Sequence, residues 1–278
     1  MDLDSVKILA FDLDYTLLDS NKQVSLRTRE TLKRAARKGY KLVIATGRGY
    51  STVPQMVLDI EGFSYIVTAN GARVTELATG RCVHAELMSE EAIRPALPYI
   101  EDPDIMREVF FDNRVYTDRH CLADLPRYGV TEAANQNYIL TTREPVDDTV
   151  AVIHSAFGRL ENVNIFIGDP EKHARYLAGL KKIPTVNVVT SFKSNIEIGS
   201  ARASKGKGLT ALAASFGWGP EAVMAFGDSN NDLSMIQDAG VGVAMANASE
   251  EIRAAADYVT AGCDEDGVAE ALEKLLKI

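Results

Sequence analysis

The chain has 278 residues, 46% apolar and 25% charged, with 39 acidic against 30 basic side chains and a formal net charge of −9. That length supports roughly two domains with a sizeable core, and the acidic balance argues against the basic footprint that holds a nucleic-acid backbone. The acidic start Met1-Asp2-Leu3-Asp4 is unlike a signal peptide, no apolar run is long enough to span a bilayer, and Cys82, Cys121 and Cys263 lack zinc-site spacing. The expectation is a cytoplasmic protein with buried free thiols and neither a membrane nor a nucleic-acid partner.

Along the first third, strand and helix patterns alternate. Val6–Phe11 reads as a strand buried on both faces. Ser25 caps a helix to about Lys38, which Gly39 closes. Lys41–Thr46 is the next strand, a helix follows from about Tyr50, and Tyr65–Val67 is a third strand ending at the turn Asn70-Gly71. This is the parallel α/β signature.

After about residue 80 the texture becomes mixed. A helix is expected from Ser89 to Ile100 and a hairpin over Ile105–Phe111 and Val115–Thr117, turning at Asp112-Asn113-Arg114. Strands are expected at Asn137–Thr141, Val163–Ile167 and Thr185–Thr190, with helices near Val146–Leu160 and Pro170–Leu180. From about residue 195 the parallel pattern resumes: helix Ser204–Phe216, strand Ala222–Phe226, helix Ser229–Asp238, strand Gly240–Ala244, and helices from Ala248 and over Gly267–Leu276. The expected fold is α/β, a doubly wound (Rossmann-like) parallel-sheet core over 1–82 and 190–278, interrupted by an inserted α+β domain over 83–189.

Two acidic signatures stand at strand ends. Asp12 and Asp14, in Phe11-Asp12-Leu13-Asp14-Tyr15-Thr16, project to one side of the crevice beyond the strand, where one carboxylate attacks and the other moves a proton. A lone Asp-x-Asp is more often an Asx-turn. Asp228 and Asp232, in Gly227-Asp228-Ser229-Asn230-Asn231-Asp232, share a helical face and suit a hard cation such as Mg2+. Helix capping accounts for one of these acids but not both. Thr46 with Gly47 ends a strand and offers a hydroxyl and backbone amides to a phosphate. Lys205 stands at a helix start, against the dipole, and calls for an anionic partner, either a phosphate or the Asp cluster, with a solvated surface lysine as the plain alternative.

Taken in order, Asp12-Leu13-Asp14-Tyr15-Thr16, Thr46, Lys205 and Gly227-Asp228-Ser229-Asn230-Asn231-Asp232 resemble the haloacid dehalogenase superfamily. The insert between Thr46 and Lys205 is similar in position and size to the type IIB cap of its Cof-type sugar phosphatases. Thr46-Gly47-Arg48, Asn70-Gly71-Ala72, Ser204-Lys205-Gly206 and Glu265-Asp266-Gly267-Val268 add to the likeness. Tyr15 departs from it, since the family most often has Gly there.

The resemblance implies a Mg2+-dependent phosphatase for a small phosphorylated metabolite, such as a sugar phosphate. Asp12 would be the nucleophile and Asp14 the acid and base. Asp12, Asp228 and the Asp14 backbone carbonyl would hold Mg2+, with Asp232 on a metal-bound water. Thr46, Gly47, Lys205 and Asn231 would bind the phosphoryl oxygens. A phosphosugar mutase of the same superfamily and a non-catalytic phosphometabolite binder are the alternatives. The histidines, His84, His120, His154 and His173, have no ligand spacing, and Arg107, Arg114 and Tyr116 are candidates to face the substrate.

Overall fold

The structure is a computed structural model that describes residues 2–191 and 193–278. Apolar runs build the first strands: β1 (Ile8–Phe11) and β2 (Lys41–Ala45) are almost wholly buried, as a sheet covered on both faces demands. Between them runs α1 (Leu26–Arg37), where the Ser25 hydroxyl accepts from the Thr28 amide and Gly39 leaves the helix at φ 97°. β3 (Phe63–Thr68), β4 (Arg73–Glu76) and β5 (Cys82–Ala85) complete this half.

The inserted segment supplies β6 (Met106–Phe111), β7 (Arg114–Asp118), α2 (Ala133–Thr142), β8 (Glu144–Val146) and α3 (Thr149–Ser155), then β9 (Leu160–Phe166), α4 (Pro170–Leu180), β10 (Val186–Val189) and β11 (Asn195–Ser200). Beyond it come α5 (Lys205–Ser215), β12 (Val223–Gly227), α6 (Leu233–Asp238), β13 (Val241–Ala244), α7 (Glu250–Ala255), β14 (Tyr258–Val259) and α8 (Gly267–Leu276).

Among the described residues these strands form two sheets, of order β14-β13-β12-β1-β2-β3-β4-β5 and β10-β11-β9-β6-β7-β8. In the first, β14 through β3 are parallel, with β4 and β5 antiparallel at the edge. Ile8, Ala10, Val43, Ala45 and Val67 pack on Leu209, Leu212 and Ala213 of α5. The second sheet is antiparallel except for β7 beside β8. Val109, Val163, Ile165, Ile196 and Ile198 form its apolar core with Ile153 of α3 and Leu180 of α4. The fold is thus α/β, a doubly wound parallel sheet with an inserted α+β segment.

The chain divides into two compact units, Met1–Gly47 with Val53–Ala85 and Ser204–Ile278, and Arg48–Thr52 with Glu86–Ala203. The divisions differ from the expected 82/83 and 189/190. β11 pairs along its length with β9 and β10, which holds residues up to Ala203 in the second unit. Arg48 joins that unit as well, with its guanidinium 4.2 Å from the centre of the Tyr138 ring.

Several expected elements differ. Asn137–Thr141 is helical, as part of α2, and turns Ile139 into a cluster with Met106, Tyr128 and Phe166. The expected helix over Val146–Leu160 is α3 alone, because Val146 is already in β8. Pro95 and Pro98 break the expected Ser89–Ile100 helix into short turns. Of the cysteines only Cys121 is buried, whereas Cys82 is exposed and Cys263 half-buried.

Candidate active site

Asp12 follows β1 directly, and its amide donates to the Phe226 carbonyl of β12 at 3.0 Å. This ties the first acidic signature to the strand that delivers the second. β12 ends at Gly227, where a side chain would stand 2.5 Å from the Asp232 Cβ, so glycine permits the tight return that brings Asp232 back beneath Asp228. Asp232 Oδ2 accepts from the Asp228 and Ser229 amides at 3.0 and 2.9 Å, which caps the turn. Oδ1 of the same carboxylate faces the cluster.

Lys205 lies at the start of α5 with no solvent exposure. Its Nζ donates to Asp12 Oδ1 and to Asp232 Oδ1, both at 2.6 Å. The anionic partner expected of this lysine is therefore the acid cluster. Ligand atoms of Asp12, Asp228 and Asp232 all lie within 4.8 Å of one another. Thr16 Oγ1 donates to Asp228 Oδ1 at 2.8 Å and Ser229 Oγ to Oδ2 at 2.9 Å, which aims that carboxylate.

Three buried carboxylates thus share one buried ammonium, an excess of two negative charges. Burial, then the charge of Asp232, pushes Asp228 up to about 6. Burial first and Asp232 second hold Asp12 well above the usual carboxylate range. Burial alone would lower Lys205, but Asp12 and Asp232 overcome it and keep the ammonium protonated above the ordinary lysine range. A divalent cation fits this donor set, since hard oxygens gather around it and its charge cancels the excess.

Asp14 stands apart from the cluster. Its side chain is about one-third exposed, and Oδ1 accepts from Lys22 Nζ at 3.0 Å. Different surroundings for two neighbouring acids are what separate nucleophilic and proton-moving roles require.

Thr46 is buried at the end of β2, and its amide donates to the Val67 carbonyl at 2.9 Å. Its own carbonyl accepts from the Asn70 amide at 3.2 Å. Asn70 Oδ1 in turn accepts from Asn231 Nδ2 at 3.1 Å. The structure therefore joins Asp12, Asp228, Asp232 and Lys205 in one cluster and links Thr46 to Asn231 through Asn70. Gly47, next to Thr46, is the last residue of this part of the first unit.

Thr16, Lys22, Asn70 and Ser229 were not singled out as site residues by sequence reasoning. Thr16, Asn70 and Ser229 sit inside quoted motifs, so their nearness was visible. Lys22 lies eight residues beyond Asp14 with no motif to mark it.

The chain belongs to the haloacid dehalogenase-like hydrolases: the profile of that family matches residues 9–272. Its resemblance to the Cof-type, subclass IIB branch holds, and it is a phosphoric monoester hydrolase. Among curated relatives, phosphatase YwpJ of Bacillus subtilis (strain 168) is 33% identical over 98% of this chain and 100% of its own. The 5-amino-6-(5-phospho-D-ribitylamino)uracil phosphatase YwtE of the same organism is 32% identical over 98% of each chain. Among solved structures, a haloacid dehalogenase subclass IIB sugar phosphatase superposes with a TM-score of 0.80 at 25% identity, covering 98% of this chain and 100% of that one. No helix among the described residues is long and apolar enough to cross a membrane.

Proposed function

We propose that this phosphatase is Mg2+-dependent, hydrolyses small phosphorylated metabolites and works through an aspartyl-phosphate on Asp12. The observation that carries the reading is Lys205 Nζ held 2.6 Å from both Asp12 and Asp232 within a buried, over-acidic cluster. Asp12 and Asp228, with the Asp14 backbone carbonyl, would hold Mg2+, and Asp232 would orient a water on it. Bound there, the cation supplies charge neutralisation of the phosphoryl oxygens and of the carboxylates.

Asp12 attacks phosphorus in line as the bond to the leaving oxygen breaks. Lys205 favours the ionised form of Asp12 against the burial and neighbouring acids that raise it, and it faces a phosphoryl oxygen as negative charge gathers there. The Thr46 hydroxyl, the Gly47 amide and Asn231, braced by Asn70, take the remaining oxygens. Asp14, outside the buried cluster, gives a proton to the departing alkoxide and then removes one from the water that attacks the phospho-aspartate. The second unit is read as the cap that selects the substrate.

Release of phosphate from p-nitrophenyl phosphate in Mg2+ and in EDTA tests this reading. The expected result is turnover in Mg2+ alone, and a loss of about 1000-fold or more in kcat for Asp12→Asn. Wild-type rates in Asp12→Asn protein would show the nucleophile to be another group.

A further inference from the structure

Tyr15 follows Asp14 with φ 62°, in the left-handed region that a residue with a Cβ adopts only under strain. Packing does not account for it, because the side chain is 44% exposed. Instead the residue is held from two sides. Asn247 Nδ2 donates to its carbonyl at 2.9 Å. Lys22, itself at φ 60°, sets its ammonium 3.9 Å from the centre of the Tyr15 ring while donating to Asp14 Oδ1 at 3.0 Å. Both contacts are made by one nitrogen, so the ring lies no farther from the Asp14 carboxylate than those two contacts laid end to end. An exposed aromatic ring, strained and braced, is thus fixed beside the carboxyl group that faces the leaving oxygen.

The charge on the ring selects what stacks on it. An ammonium over one face draws π density toward itself and leaves the ring electron-poor. Such a face disfavours a second cation and offers little to the C–H groups of a sugar, which seek an electron-rich face. A neutral planar ring in offset stacking suits it best.

We propose that Tyr15, positioned by Lys22, is the stacking platform for the leaving alcohol, and that this enzyme acts on phosphate monoesters whose alcohol carries a neutral aromatic ring. The proposal rests on the assignment of Asp12 and Asp14 above and narrows the substrate class of that same site.

Benzyl phosphate and cyclohexylmethyl phosphate test it, because both release a primary alkoxide of similar size and only one carries a flat ring. For the wild-type protein in Mg2+ the expected ratio of kcat/KM, benzyl over cyclohexylmethyl, is about fivefold or more. Tyr15→Phe keeps that ratio. Tyr15→Gly, which relieves the backbone strain and so preserves folding, brings it close to one. An equal ratio in wild-type and Tyr15→Gly proteins, with both esters hydrolysed, overturns this inference and leaves the phosphatase reading intact. Hydrolysis of neither ester by wild-type protein that still releases phosphate from p-nitrophenyl phosphate overturns this inference alone, and release from none of the three overturns the phosphatase reading with it.

Discussion

Lys205 concentrates the physics of the site in one side chain. A fully buried ammonium is tolerated only because two carboxylates meet it at 2.6 Å, and those carboxylates are tolerated largely because of it. Replacing it by Met leaves Asp12 and Asp232 buried without their cation. The expected cost in EDTA near neutral pH is roughly 3–5 kcal/mol by chemical denaturation. Saturating Mg2+ should restore part of that stability, since it supplies positive charge to the same carboxylates; no cost in EDTA would count against the pairing.

Asp228 carries one part of the pH dependence, beside Asp12, whose carboxyl is raised as well. Its folded value of about 6 lies above the ordinary 3.8, so the folded state holds the proton more tightly than the unfolded chain does. That contribution is complete below about pH 4 and is lost as pH rises through about 6, a swing on the order of 3 kcal/mol. In EDTA, the stability of the wild-type protein relative to Asp228→Asn should therefore fall across this window and level off above it. A difference that stays flat with pH would contradict the assignment.

Among the elements, the turn over Ala69, Asn70 and Gly71 has the most exacting geometry. Its three residues have φ 48°, 54° and 96°, and a Cβ on Gly71 would stand 2.0 Å from the Ser204 carbonyl oxygen. The turn thereby presses on the N-cap of α5, the helix whose first residue is Lys205, and it aims Asn70 at Asn231. Gly71→Ala should combine backbone strain with a forced shift of Ser204. The expected effect is about 2 kcal/mol or more of lost stability together with a fall in kcat, read by denaturation and steady-state assay. Wild-type values for both would mean that this turn does not set the lysine.

Local signals show why some elements were legible in the sequence. The start of α1 at Ser25 and its end at Gly39, and α4 opening at Asp169-Pro170, are written in residues next to one another. α2 was not legible, because Asn137-Tyr138-Ile139-Leu140-Thr141 reads locally as a strand. Only the placement of Ile139 against Met106 and Phe166 favours helix, and those partners are about 30 residues away in sequence. β11 escaped although Ile196 and Ile198 alternate with polar neighbours, because the alternation is short and breaks at Gly199, and its partners β9 and β10 define it. In the site, the four aspartates and Lys205 were legible as strand-end and helix-start acids and a base. Lys22 was not, since only the path of the chain after Asp14 returns its ammonium to that carboxylate.

At the scale of the molecule, the division of labour follows from where the charges lie. The first unit gathers the clustered carboxylates at the ends of β1 and β12, adjacent strands whose register pairs Phe11 with Phe226. The second unit buries its own ion pairs for structure. Arg143 meets Glu108 at 2.6 Å, and Arg107 is locked on Asp118 at 3.0 Å and Thr149 at 2.8 Å, which removes Arg107 from the substrate-facing candidates. Bond breaking is thus proposed for the first unit, on Asp12, with proton movement assigned to Asp14. The most direct test is to mix Asp14→Asn protein with p-nitrophenyl phosphate in Mg2+, quench in acid and weigh the proteolytic peptides. Nitrophenolate departs without a donated proton, so phosphoryl transfer proceeds in this variant while hydrolysis of the phospho-aspartate is slowed. The account predicts a burst of nitrophenolate equal to the enzyme present and one added phosphoryl group on the peptide that carries Asp12. Turnover with no burst and an unmodified Asp12 peptide would contradict it.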